Sequence, residues 1–470
     1  MPHFGRSARW QDTSRSGTLY YPIWLSYATA LVETEFKTRL VDAPAWAWNE
    51  TDVHHDIRKH KPDLLVIDSS FPSLHNDVKV AEAIKQNFDI NVVLVGPPAA
   101  LLSSSILESD GVDFVARFEY DFTIKELAKT LESNGNLGKV LGISYKVNQQ
   151  VVTTPNRDFT TSKELDEIPF VSKVYKKHLD IRDYFLGSSL YPEVQVFTGR
   201  GCTSFCTFCS WPQTLMGRKY RVRNIGNVLD ELEWIQDNLD VNEVFFEDDT
   251  FTLDKNRVKE FTREYKRRGL DVTWACNARV GLSYELMKEM KAANCRLIIV
   301  GYESGCNEIL KKIKKGISVE QMKPFTANAK KAGLLVHGDF IIGLPGETKK
   351  TIGITKNLIK ELKPDLLQVS VATPFPGTEF YEWSNKEGFL LTNKLDEYLD
   401  SEGHQKAIIS YPWLSAEEIT RNVDEILKGY YLSKSYILLA LKQIFRKNGL
   451  KELKRILFSF KAFLKYIIKR

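Results

Sequence analysis

Two α/β modules in series, a doubly wound parallel sheet and then a partial (β/α)6 barrel, followed by a basic helical tail, are what the sequence predicts. Three observations carry this. Between residues 20 and 135 short apolar runs alternate with amphipathic stretches, and from Tyr191 a strand-then-helix pattern restarts and recurs about six times. From Lys434 to Arg470 there are eleven Lys/Arg residues against one acidic residue, Glu452. Strands separated by helical crossovers lie parallel in one sheet, because the helix carries the chain back to the edge where it began. The implied divisions are 1–135 for the first sheet, 136–190 for a linker with a small hairpin, 191–385 for the barrel, 386–433 for a helical extension and 434–470 for the tail.

In the first module residues 38–43 and 63–68 read as strands, 52–59 and 78–86 as helices, and 91–98 as a strand ending in a Gly-Pro turn. Ligands of such Rossmann-like sheets bind beyond the carboxyl ends of the strands. That rule puts Asp42, Ser69, Ser70, Gly96 and Pro97 on the ligand-facing edge. In the second module strands end at Thr198 and near Glu247, Asn277, Gly301, Phe340 and Thr373, with helical segments such as 224–238, 255–268 and 283–293 between them. A parallel barrel builds its active site at those strand ends.

Composition narrows the function. At 470 residues, 43% hydrophobic and 27% charged, the chain is long enough for two or three cores. No apolar stretch approaches the ~20 residues of a membrane span. Without the tail the chain carries 54 basic and 59 acidic side chains, which argues against a uniformly basic nucleic-acid binder. Six cysteines are too few for a disulfide framework and no secretory signal is visible, so a reducing, cytoplasmic setting is expected.

Three of those cysteines, Cys202, Cys206 and Cys209, share one loop at the end of the first barrel strand. Three thiolates can hold three irons of a 4Fe–4S cube, leaving the fourth open, whereas a cluster that only carries electrons normally has four cysteine ligands. A structural zinc would want four ligands, usually in two pairs. Cys276, Cys295 and Cys306 are isolated, and the nearest histidines in sequence are His178 and His337.

The C-x3-C-x2-C spacing, at the first strand end of a (β/α) pattern, resembles the signature of the radical S-adenosylmethionine (SAM) superfamily. The resemblance implies a 4Fe–4S cluster on Cys202, Cys206 and Cys209 whose open iron binds SAM. It also implies a flavodoxin- or ferredoxin-type reductant, whose electron cleaves SAM to a 5′-deoxyadenosyl radical. It places Phe208 on the SAM adenine, Asp248 at a ribose or substrate hydroxyl, and Gly301 and Glu303 at the ammonium or ribose. Gly343, Pro345 and Gly346, in a glycine-rich turn that lets backbone approach closely, are implied to meet the adenine. No catalytic residue is assigned.

The first module resembles the cobalamin-binding domain that precedes the barrel in one radical SAM class. The D-x-H-x-x-G element of that class is absent, and Asp52-Val53-His54-His55 falls on a predicted helix. Any cobalamin is therefore expected to lack a protein histidine on cobalt, and a degenerate domain stays open. The stretch from Trp211 to Arg221 resembles the hopanoid-biosynthesis HpnJ-type and calditol-synthase-like subgroup. That resemblance implies ring contraction of a sugar head group on a membrane lipid, of hopanoid or archaeal tetraether type, with Trp211, Arg218 and Arg221 holding the substrate or else ordering the cluster loop. The alternatives are a cobalamin-dependent radical SAM methyltransferase acting on a lipid or other apolar substrate, and a non-enzymatic iron–sulfur or zinc protein.

In the tail Leu450, Leu453, Leu457, Phe460, Leu464 and Ile467 recur three or four apart among Lys451, Lys454, Lys461, Lys465 and Lys469. A basic amphipathic helix of this kind lies in an anionic membrane interface. The expectation is peripheral contact with the inner face of the membrane; a helix docked on the barrel with solvated lysines is the alternative. Replacing Cys202, Cys206 or Cys209 by Ala is expected to abolish the cluster, read as loss of iron and sulfide from anaerobically prepared protein. Zinc without sulfide in the unaltered chain would overturn the cluster assignment.

Overall fold

The computed structural model describes residues 17–446 and 448–469. The N-terminal module begins with α1 (Ile23–Val32) and α2 (Glu50–His60), then alternates β1 (Leu64–Asp68), α3 (Leu74–Asn87), β2 (Asn91–Val95), α4 (Pro97–Ile106), β3 (Phe114–Ala116) and α5 (Asp121–Glu132). β1, β2 and β3 are parallel neighbours in that order. Their side chains alternate between two cores. Val93, Val95, Phe114 and Ala116 join Trp24 and Leu127 of α1 and α5, while Val92, Leu94 and Val115 join Ala81, Ile84 and Ala99 of α3 and α4. Burial on both faces is why these strands read as near-continuous apolar runs.

The sheet is mixed rather than wholly parallel. β4 (Ile143–Val147) and β5 (Gln150–Thr153) form an antiparallel hairpin added to β3, so part of the segment expected as linker completes this sheet. Asn148 and Gln149, with φ of 48° and 65°, make the two-residue turn. Residues 38–43, expected as a strand, pair with none. Leu40 N donates instead to His178 Nδ1 at 3.4 Å, and Asp42 is buried, accepting from Tyr184 Oη at 2.8 Å. Asp42 thus leaves the sheet's ligand-facing edge for the connection to the barrel.

That connection carries α6 (Ser162–Glu167) and α7 (Val171–His178). The barrel sheet then runs β13-β12-β11-β10-β9-β6, with every paired neighbour parallel. Its strands are β6 (Glu193–Val196), β9 (Glu243–Phe246), β10 (Trp274–Ala278), β11 (Cys295–Glu303), β12 (Leu335–Ile342) and β13 (Leu366–Val371); the short β7 (Gly199–Arg200) and β8 (Arg221–Val222) lie outside it. The crossovers are α8 (Ile225–Asn238), α9 (Lys255–Arg267), α10 (Tyr284–Ala292), α11 (Asn307–Lys312), α12 (Val319–Lys331) and α13 (Lys349–Leu362). Phe245, Ala275, Leu297, Leu335 and Leu366 fill the interior, one from each of five adjacent strands. β6 and β13 remain edges, so the barrel is open.

After β13 come α14 (Glu379–Lys386), α15 (Ala416–Tyr431), α16 (Lys434–Ile444) and α17 (Gly449–Lys469). The tail helix is docked on the barrel by one face. Glu452 and Arg455 are 1% and 2% exposed. Arg296, at the start of β11, donates to both oxygens of Glu243 at 2.7 and 2.8 Å and to Glu452 at 2.9 Å. Arg455 donates to Glu452 at 2.9 Å, Gly187 O at 2.9 Å and Gln443 Oε1 at 3.0 Å. The side chains of Ile467 and Lys469 lie outside the described residues. Arg296→Met would leave Glu243 and part of Glu452 as buried, uncompensated charge. It is expected to cost about 3–5 kcal/mol, read as a lowered denaturant midpoint, because breaking a buried pair leaves its other half dry.

Candidate active site

The cysteine loop is closed at its neck by the antiparallel β7–β8 pair, Gly199↔Val222 and Arg200↔Arg221. Gly201 (φ 90°) makes the closure possible, since a Cβ there would meet Lys219 O at 2.1 Å. Cys202 N donates to Gly217 O at 3.3 Å, Thr207 N to Ile313 O at 3.1 Å, and Phe380 N to Thr207 O at 3.0 Å. The loop is therefore pinned between the segment after α11 and the start of α14.

All three cysteines are free thiols; Cys206 is buried, and Cys202 and Cys209 are half-buried. Burial pushes the Cys206 and Cys209 thiols up, and nearby negative charge raises them further, Glu303 and then Cys202 at Cys206, and Asp249 and then the neighbouring cysteines at Cys209. Lys315 and Arg279 work against this at Cys206. Such thiols ionise when a metal takes the sulfur. Three soft donors on a pinned loop, with cations nearby, fit a cluster held by three protein sulfurs.

Around the loop, Arg279 donates to Ser204 Oγ and to Lys315 O (2.6 Å), and Lys315 Nζ to Glu303 Oε1 (2.6 Å). Glu303 is buried with φ 64°, at an irregularity where β11 shifts register against β12. A Cβ on Gly301 would meet Glu303 Oε1 at 2.3 Å, so the glycine lets that carboxylate fold back toward the loop. In the turn after β12, Gly343 and Gly346 have φ of 100° and 82°, and Pro345 and Gly346 are half-buried. Glu347 accepts from Gly343 N at 2.5 Å and Leu344 N at 3.3 Å, and Tyr411 Oη donates to Gly343 O at 2.8 Å. Phe208 is half-buried against the main core.

Other predicted site residues are engaged elsewhere. Asp248, expected at a ribose or substrate hydroxyl, accepts from Thr198 N at 2.6 Å and Thr198 Oγ1 at 2.7 Å, bracing the base of the cysteine loop. Arg221, expected at the substrate, is buried with both nitrogens of its fork on Glu119 at 2.7 and 3.0 Å and further bonds to Thr160 O and Met216 O. Arg218 donates to Ser204 O at 2.5 Å and covers the Phe205 ring at 4.6 Å, which orders the loop. Trp211 is buried at the start of the Pro212–Met216 turn, which packs on α4.

Sequence reasoning missed Arg200, Glu119 and Asp121. Arg200, fully buried, donates to Asp121 at 2.7 and 3.2 Å and lies over Trp24 at 4.6 Å and Tyr27 at 5.0 Å. The available signals were two acids flanking Tyr120 just after a strand, and an arginine between glycines ahead of the first cysteine. Asp121 opens α5 at the carboxyl end of β3, and Arg200 is two residues from Cys202. The carboxyl edge of the N-terminal sheet thus faces the carboxyl ends of the barrel strands. Phe71, after β1, stacks on Phe375, after β13, at 5.4 Å.

On that edge Ser69 and Ser73 donate to Asp77 at 2.7 and 2.6 Å, and burial pushes the Asp77 carboxyl up to about 6. The buried Tyr120 hydroxyl has no hydrogen-bond partner among the described residues. His54 lies instead on α2, edge-on to Phe88 at 5.3 Å, at the other end of the sheet. A buried hydroxyl without a partner among the described residues, on the edge where such sheets bind ligands, fits a bound cobalamin.

Residues 196–374 match the Radical SAM superfamily. Over 436 residues, 92% of each chain, the protein is 31% identical to an uncharacterized methyltransferase of Pyrococcus horikoshii. The chain belongs to the radical SAM superfamily. It is an enzyme, and a 4Fe–4S cluster and SAM are its cofactors. It is also 25% identical over 455 residues to the cytidylyl-2-hydroxyethylphosphonate methyltransferase of Streptomyces wedmorensis, covering 85% of this chain and 84% of that one. Its fold is that of the radical SAM methyltransferase TsrM from Kitasatospora setae, solved with cobalamin and a [4Fe-4S] cluster: TM-score 0.73, 17% identity, 94% of this chain and 96% of that one.

Burial holds Glu347 up at about 7, against 4.5 unfolded. The folded state therefore keeps a proton that the unfolded chain releases, and stability falls as pH rises from about 4.5 to 7. Glu347→Gln is expected to remove a few kcal/mol of that slope, measured by urea unfolding across this range; an unchanged slope would discount the buried carboxyl.

Proposed function

We propose that this radical SAM enzyme is a cobalamin-dependent methyltransferase. The observation that carries the reading is the apposition of the two strand-end edges, locked by Arg200–Asp121 and Arg221–Glu119. Doubly wound sheets bind ligands at that edge and barrels react at theirs, so a cobalamin on one adjoins a cluster and SAM on the other. The similarity to two proteins named as methyltransferases favours this over ring contraction of a lipid-linked sugar, which none of the relatives described above supports.

In this reading Cys202, Cys206 and Cys209 hold the cluster, while Gly301, Glu303 and the turn Gly343, Pro345 and Gly346 hold SAM. The edge carrying Ser69, Ser70, Gly96 and Tyr120 takes the cobalamin. Bound cobalamin supplies a carrier for the methyl group; the protein supplies position and exclusion of water. Lys315 orients the Glu303 carboxylate at 2.6 Å. Arg279 and Arg218 hold Ser204, and with it the cysteine spacing. The methyl acceptor lies above the barrel core, where the apolar Ile299 stands beside Gly301 and the His337–Asp339 pair. A flavodoxin or ferredoxin in the cytoplasm supplies the electron.

The test is mass spectrometry of SAM products from anaerobically reconstituted enzyme with cobalamin, reductant and extracted host lipids. S-adenosylhomocysteine formed in step with a methylated product, and only when cobalamin is present, is the expected result. 5′-Deoxyadenosine with no matching S-adenosylhomocysteine would sink the methyltransferase reading.

A further inference from the structure

The α16–α17 hairpin has two different faces. Its inner face is committed: Gln443, Glu452 and Arg455 are buried in the ion network below the barrel, and Phe463 and Tyr466 are buried higher along α17. Its outer face is apolar to an extent that a solvated hairpin would not be. Phe445 is 88% exposed and Leu450 84%, at the turn between the helices, with Leu438, Leu441 and Leu457 also exposed. Exposed apolar surface gathered in one patch marks a contact site.

Charge identifies what the patch fits. Lys442, Arg446, Lys451, Lys454, Lys461 and Lys465 surround it and are exposed. Glu452, the one acid from 434 onward, is consumed by Arg296 and Arg455. What the hairpin presents is therefore wholly cationic around an apolar tip. A second copy of this face would set lysines against lysines. An acidic, fluid surface with an apolar layer beneath satisfies both halves at once. No described helix is long and apolar enough to cross a membrane, so the contact is peripheral.

We propose that the α16–α17 hairpin docks the enzyme on an anionic lipid bilayer, with Phe445 and Leu450 entering the headgroup layer and the lysines engaging lipid phosphates. The position of the patch adds a consequence. Its anchor is at the strand starts, beside Glu243 and Arg296, whereas the cysteine loop follows the strand ends. Docking by this face sets the cysteine loop at the end of the barrel away from the bilayer, so membrane attachment localises the enzyme without feeding substrate from the bilayer into the site.

The test is co-sedimentation of the full chain with vesicles of phosphatidylcholine alone, or of phosphatidylcholine with phosphatidylglycerol. Removing the whole tail would take Glu452 and Arg455 out of the buried network at the base of the barrel, so the variants are Phe445→Ser with Leu450→Ser, and Lys442→Glu with Lys451→Glu. Each pair is accepted for the test with unaltered iron content and unfolding midpoint. Expected are pelleting with anionic vesicles only, weakening as salt screens the lysines, and a loss of about fivefold or more per reversed lysine. Equal pelleting with both vesicle types, or undiminished binding by the Phe445/Leu450 variant, would overturn the proposal. So would light scattering that shows a dimer lost in the same variants with no vesicle binding, which would assign the face to self-association.

Discussion

Four charges kept dry between two modules set the geometry of the reaction centre. Arg200 and Arg221 come from the neck of the cysteine loop, and Asp121 and Glu119 from the end of β3. Burying an ion is costly, and a buried pair holds only when its geometry is good and further hydrogen bonds support it; Arg200 leaves its Nε without a partner among the described residues. Here the planar guanidinium forks meet carboxylates in two-point contacts, the geometry arginine provides and lysine does not. Burial alone would lower the Arg200 pKa, yet Asp121 and Glu119 hold it above its ordinary value. The aromatic rings of Trp24 and Tyr27 take the face of the ion. Such an arrangement tolerates little sliding, so the sheet edge and the cysteine loop share one register.

The same device recurs along the barrel. Arg223 reaches Glu231 at 2.6 Å and Phe197 O at 3.0 Å, and Arg257 reaches Thr198 O at 3.1 Å, so the strand that feeds the loop is held from the outside. At the opposite end Arg296 and Arg455 tie the starts of β9 and β11 to α17. A six-stranded open barrel has two unpaired edges, and closing contacts below and above substitute for the strand pairs that a full barrel would have.

What was legible in the sequence follows from the range of the forces involved. Barrel strands and crossovers were readable because apolar periodicity is local; the expected strand ends at Thr198, Asn277 and Gly301 lie within two residues of those of β6, β10 and β11. Residues 38–43 have the same apolar look but gain no partner strand, and pairing is a non-local event. The β4–β5 hairpin was visible, but not that it would extend the first sheet. Asp248 and Arg221 carry the residue types that hold ligands, and only their partners, Thr198 and Glu119, reveal bracing roles.

The sequence by itself determined the superfamily, the three-cysteine loop, the order of the modules and the charge of the tail, because spacing, periodicity and composition are properties of the chain alone. Only the tertiary structure decided that the two strand-end edges face each other, that Glu303 folds back on Lys315, and that α17 spends its single acid inside the molecule while keeping its lysines outside. Those outcomes depend on pairing charges 12 to 156 residues apart in sequence. Whether a charge is buried and matched or exposed and available is settled only when the distant partner arrives.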